Sequence, residues 1–136
     1  MRQYLLDTNI CAFMFRGKYD VRKHLQQIGL RNCHISILTY AELYFGIVNG
    51  GIEIEHNLRV LDIFCENVDI VGIDDVIPTY AKEKARLRKA GAPIDDFDLM
   101  IGATALSHGF VLVTENIKHL GRLQGIEIEN WINRSL

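Results

Sequence analysis

An α/β fold with a mainly parallel sheet is what this sequence predicts, and three observations carry that prediction. Five short apolar runs rich in branched residues, 3–6, 34–38, 68–73, 110–113 and 126–128, have the length and composition of buried strands. Segments of helical period separate most of them, and this alternation belongs to parallel sheets whose crossovers cover the faces. Residues able to cap free backbone amides stand where the helices should begin, while Asn32, Gly50-Gly51, Gly91 and Gly109 mark other ends.

The first run ends at Asp7, and a helix follows Thr8. The second gives way to a helix after Thr39, where Thr39-Tyr40-Ala41-Glu42 has the form of a capping box. A further helix follows Gly51 and leads to the third run. Asp74 precedes a charged helix over 76–90, which the Gly91-Ala92-Pro93 turn ends. Asp95 or Asp96 opens the helix that continues to His108, and Gly109 releases the chain into the fourth run. Asn116 lies just beyond that run. Trp131, after the fifth, is expected to pin the last segment to the body.

Length and composition bound the function. With 136 residues, 49% of them hydrophobic, the chain is the size of one domain with a single core, spanning 1–136. A formal charge of −2 excludes a broadly basic nucleic-acid coat, so contact with phosphate must be local and metal-assisted. Cys11, Cys33 and Cys65 form no CxxC pair, and the five histidines show no zinc spacing. Buried thiols in a reducing cytoplasm fit that pattern. The apolar stretch Tyr4-Leu5-Leu6 is too short for a secretion signal, and the longest uncharged run, 99–114, is too short for a membrane helix.

Four polar residues carry the chemistry: Asp7 in Leu5-Leu6-Asp7-Thr8-Asn9, Glu42 in Ala41-Glu42-Leu43, Asp98 at the head of a helix, and Asn116 in Val113-Thr114-Glu115-Asn116. Each stands where a strand-like run yields to a helix or loop, and a parallel sheet would bring them to one edge. Carboxylates gathered there repel one another unless a cation lies between them, and hard oxygen donors favour Mg²⁺, with Mn²⁺ able to substitute. The pattern is that of a metal-dependent phosphodiester enzyme.

Each residue has a plainer reading. Asp7 could cap a helix, though Thr8 and Asn9 can do the same. Glu42 fits its capping box as well as a site. Asp95, Asp96 and Asp98 crowd one helix start, where a single acid suffices for the dipole. The excess fits a cation bound nearby, with Asp95 and Asp96 read as caps or outer groups, one of them able to reach a metal-bound water. Asn116 contributes an amide oxygen without charge, which Glu115 could offset, and Thr114 could hydrogen-bond a site carboxylate. Arg86, with Lys82, Lys84, Arg88 and Lys89, forms either a solvated face or a track for a phosphate backbone.

From Leu5-Asp7-Thr8-Asn9 through Gly91-Ala92-Pro93-Ile94 and Leu112-Val113-Thr114 to Ile128-Glu129-Asn130-Trp131, the chain resembles the PIN-domain ribonucleases of the VapC toxin family. The resemblance implies a PIN-like three-layer α/β/α fold. It implies a Mg²⁺-dependent endoribonuclease acting on RNA required for translation, commonly tRNA, with Asp7, Glu42 and Asp98 as metal ligands and Asn116 completing the catalytic set. Many PIN domains carry Asp at that last position. A homodimer, inhibition by a VapB-type antitoxin, and contact with operator DNA through the antitoxin alone are implied too. Two alternatives stand beside it. One is a PIN-like binding module with a decayed site, partner to a repressor. The other is a phosphatase with Asp7 as nucleophile, which Asn9 in place of a second Asp disfavours.

Overall fold

A computed structural model describes residues 2–135. The apolar runs become strands β1 (Tyr4–Leu6), β2 (Cys33–Ser36), β3 (Asp69–Val71), β4 (Val111–Val113) and β5 (Ile128–Glu129). All strand pairs are parallel, in the order β3-β2-β1-β4-β5. Such a sheet is buried on both faces, and each residue of β4 is buried. Side chains alternate across the pleat, so neighbouring Leu5 and Leu6, both inaccessible, enter different cores.

Helices α1 (Thr8–Phe15), α2 (Val21–Ile28), α3 (Ile37–Gly50) and α4 (Ile54–Asn67) pack on the Leu6 side, with Ile10, Val21, Leu25, Leu43 and Leu61 as their buried contacts. Helices α5 (Ile77–Lys89), α6 (Asp96–His108) and α7 (Ile117–Leu120) cover the Leu5 side through Leu87, Leu99, Ile101 and Leu120. The parallel sheet is the one that the alternation predicts, and the three layers are those that the family resemblance implies. Trp131 is buried beside Tyr4 and stacks on His24 at 5.1 Å between ring centroids, pinning the last segment as expected.

Three local features differ from expectation. The second strand stops at Ser36, because its hydroxyl accepts from the Leu38 amide at 3.1 Å and starts α3 three residues before Thr39. Helix α2 is not foreseen, although Val21, Leu25 and Ile28 repeat at helical spacing; Asp20 precedes it with φ 57° and no side-chain cap to announce it. The one-turn α7 is too short for any periodicity to show. Among the described residues no helix is long and apolar enough to cross a membrane. The three cysteines are free, and burial pushes the Cys33 thiol up to about 11.

Candidate active site

The chain builds its sheet outward from β1 through β2 to β3, then returns to add β4 and β5 on the other side, so strand order reverses between β1 and β4. Crevices at such switch points are where open α/β sheets place their sites. Asp7 leaves the end of β1 with its amide still bonded to the Val113 carbonyl of β4. Its carboxylate is 6% exposed. One oxygen accepts from the Thr8 amide at 2.8 Å and the other from the Thr114 hydroxyl at 2.7 Å. Asp7 therefore does cap α1 itself, rather than leaving that duty to Thr8 or Asn9. A carboxylate keeps further lone pairs after two such bonds, so capping leaves it able to bind a cation.

Glu42 sits on the sixth residue of α3 rather than directly after a strand. Since α3 starts at Ile37, Thr39 lies inside the helix and the capping box does not form. Thr8 instead donates its hydroxyl to Glu42 Oε1 at 2.7 Å, and Thr39, buried and 3.2 Å away, must then donate to Thr8. Across the crevice, Asp98 in the first turn of α6 accepts from Asn116 Nδ2 at 3.3 Å. The Thr114 hydroxyl joins the halves, donating to Asp7 and accepting from the Asn116 amide at 3.0 Å.

The electrostatics follow from this gathering. Burial holds the Asp7 carboxyl above the usual range, against the opposing bonds from Thr114 and Thr8. Asp98 is pushed up by burial first, then by the charges of Asp7, Asp95 and Glu42, with His119 opposing. Three other acids thus lie within electrostatic reach of Asp98. Among the described residues no three His, Cys, Asp or Glu side chains close into a ligand cage. An open rim of hard oxygen donors suits Mg²⁺, which keeps several waters and takes one or two carboxylates together with substrate phosphate.

Residues 4–124 match the PIN domain family. The chain is 33% identical over 133 residues to the tRNA(fMet)-specific endonuclease VapC of Shigella flexneri, covering 96% of this chain and 99% of that one. This chain belongs to the VapC family of PIN-domain proteins. Its fold superposes on VapC-family structures: on the DNA-bound VapBC of Salmonella typhimurium the TM-score is 0.86 at 30% identity, over 96% of this chain and 99% of that one. On VapBC2 of Rickettsia felis, bound to a DNA fragment from the promoter, the TM-score is 0.84 at 29% identity, over 94% and 98%.

Within this VapC-family fold the remaining sequence candidates divide. Asp95 caps α6, accepting from the Phe97 amide at 3.1 Å, and stays close enough to raise Asp98. Asp96 turns away: Lys84 and the Tyr80 hydroxyl each hold it at 2.9 Å. Glu115 also leaves the crevice, chelated by the Arg134 guanidinium, which lies over the Phe13 and Tyr19 rings. It offers Asn116 no compensating charge. Arg86 points to the buried Glu83 with two bonds, at 2.9 and 3.0 Å, and to the Arg122 carbonyl at 2.7 Å, so it is a structural clamp and no phosphate track. Sequence reasoning missed Thr8 and Thr39 as holders of Glu42, and His119, whose Nδ1 lies 3.1 Å from Asn116 Oδ1. Only the three-residue spacing from Asn116 to His119 hinted at the last.

Proposed function

We propose that this chain is a Mg²⁺-dependent endoribonuclease, the toxin of a VapBC-type pair, acting in the cytoplasm on RNA required for translation, with tRNA as its substrate class. The observation that carries the reading is the gathering of Asp7, Glu42 and Asp98, with Asp95 at the margin, at the point where strand order reverses. Asp98, raised by burial and by the charges of its acidic neighbours, gains if a cation is shared among them. The name of the Shigella relative supplies the choice of tRNA.

Asp7, Glu42 and Asp98 would hold the ion. When bound, it supplies Lewis-acid polarisation of the scissile phosphate and charge stabilisation for the attacking and leaving oxygens. The chain's own residues orient the acids. Thr114 and the Thr8 amide fix the Asp7 carboxylate, Thr8 and Thr39 fix Glu42, and Asn116 fixes Asp98. Fixing donors before substrate arrives removes reorganisation from the reaction itself.

A VapB-type antitoxin is the inhibitory partner, with operator DNA reached only through it, and the toxin works as a homodimer. An apolar groove of about 750 Å³ between α1, α3 and α4, lined by Ala12, Phe15, Leu43, Ile47, Val60 and Leu61, runs up to Thr8 and Glu42. A partner segment in it could close the crevice and place a cationic side chain among the acids. The test is incubation of antitoxin-free protein with total RNA and Mg²⁺, beside EDTA and Asp98→Asn controls, followed by sequencing of new RNA ends. Discrete cuts that vanish in both controls are expected. Intact RNA from a folded, Mg²⁺-binding protein would refute the reading.

A further inference from the structure

Asn116 presents two different atoms to two different neighbours. Towards Asp98, a carboxylate that can only accept, the amide must turn its NH₂, and the Nδ2···Oδ2 distance is 3.3 Å. That choice leaves Oδ1 facing His119 Nδ1 at 3.1 Å. Two acceptors cannot share a hydrogen bond, so Nδ1 must carry a proton there. The hydrogen-bond partners alone thus fix both the amide orientation and the tautomer.

Packing and a backbone bond support His119. It sits on α7, whose neighbouring Leu120 is fully buried against α6. The Leu120 amide bonds the Asn116 carbonyl at 3.1 Å, closing the turn that sets His119 beside the Asn116 side chain. At Gly121 an added Cβ would lie 2.6 Å from the Ile117 carbonyl oxygen, so the turn has no room for a side chain there.

We infer that His119 is a positioning residue that locks the Asn116 amide as a hydrogen-bond donor to Asp98. Asn116 is then committed at both ends to protein groups, and its oxygen is withheld from any ion. An Asp at 116 would instead set a second carboxylate against Asp98, so this chain holds its acid with a neutral donor and uses a histidine to keep that donor the right way round. The role in the reaction rests on the ribonuclease reading, whereas the bond itself does not.

Two readouts separate these. In the ¹⁵N-labelled, metal-free chain, the Asn116 side-chain NH₂ should give a distinct, slowly exchanging pair of signals. His119→Ala should collapse it to the exposed-amide position, and His119→Asn, whose Nδ2 can occupy the place of the ring Nδ1, should keep it. His119→Asp, with an acceptor in that place, should lose it. In parallel, cleavage of RNA at saturating Mg²⁺ should fall about tenfold in His119→Ala and His119→Asp, the scale of one lost hydrogen bond, and recover to within about threefold in His119→Asn. Thermal unfolding of each variant accompanies both. Unchanged Asn116 signals in His119→Ala, or equal loss of cleavage in the Asn and Asp variants, would overturn the inference. A wild-type chain that cuts no RNA, yet shows the donor-dependent signals, would overturn the ribonuclease reading and the catalytic consequence while leaving the bond established.

Discussion

At the scale of single residues, the site trades stability for charge. Asp98 and Asp7 both have folded-state carboxyls raised above their ordinary value near 3.8, so each favours the folded state when protonated and opposes it when ionised. Their contribution is fully present below the unfolded range and is lost as pH rises through the raised folded value. Asp98→Asn should therefore increase the melting temperature of the metal-free protein at pH 7, and the gain should shrink towards pH 4. Differential scanning calorimetry across that interval checks the sign. The same variant should lose cleavage by about 10²-fold or more, the scale seen when one preorganised electrostatic contributor is removed. Asp7→Asn should also stay folded, because an Asn oxygen can still accept from the Thr8 amide and keep the α1 cap. Capping and site chemistry are not competing readings of Asp7, since one carboxylate meets both demands.

At the scale of elements, the position of the acids depends on α6 and the segment after α7, and two contacts hold that segment, one to α6 and one to α5. A Cβ on Gly102 of α6 would come within 2.7 Å of Leu123 Cδ2 and 3.0 Å of Leu120 Cδ2. Gly102→Ala should cost about 1–3 kcal/mol by overpacking, read as a lower denaturant midpoint, and should reduce cleavage as α7 and His119 shift. The second contact is the Glu83–Arg86 pair. Glu83 also accepts from the Gln124 amide at 2.8 Å, while Arg122 reaches the Ala92 and Pro93 carbonyls. The guanidinium bond from Arg86 holds Glu83 below the usual carboxylate range, against the pull of burial, so its stabilisation is present above pH 4.5 and is lost as pH falls. This is the opposite sign to the site acids. Arg86→Ala should lower stability, read as a reduced denaturant midpoint, yet leave KM for RNA unchanged in protein that remains folded. A raised KM would restore the phosphate-track reading. That reading arose because a basic run in sequence does not say which charges are already paired: Arg86 and Lys84 turn to Glu83 and Asp96. Likewise the sequence alone sets the cap of Glu42's helix three residues late, because Thr39 is as good a cap as Ser36 and only the bonded hydroxyl decides between them.

At the scale of the whole molecule, strand alternation made the layered fold legible, and the reversal of strand order explains why residues as distant as Asp7 and Asn116 meet. What stayed hidden were contacts that follow from packing alone: the hydroxyl relay from Thr39 through Thr8 to Glu42, and the turn that brings His119 to Asn116. The same architecture sets the acid crevice and the apolar groove side by side, sharing Thr8 and Glu42 at their junction. Inhibition and catalysis should then be separable by distance from that junction. Val60 lies in the groove on α4, is 37% exposed, and takes no part in the site's hydrogen bonds. Replacing it with Asp puts an unpaired charge against an apolar partner face, at a desolvation cost of about 2 kcal/mol or more. Val60→Asp should weaken binding of the cognate antitoxin by about 30-fold or more in calorimetric titration, while the RNA cleavage rate of the antitoxin-free protein stays within about twofold of wild type. In cells the variant should escape neutralisation and arrest growth at antitoxin levels that silence the wild type. Antitoxin binding that is indifferent to Val60→Asp would move the partner to another face of the molecule, and a parallel loss of cleavage would show that the groove and the crevice are one mechanical unit.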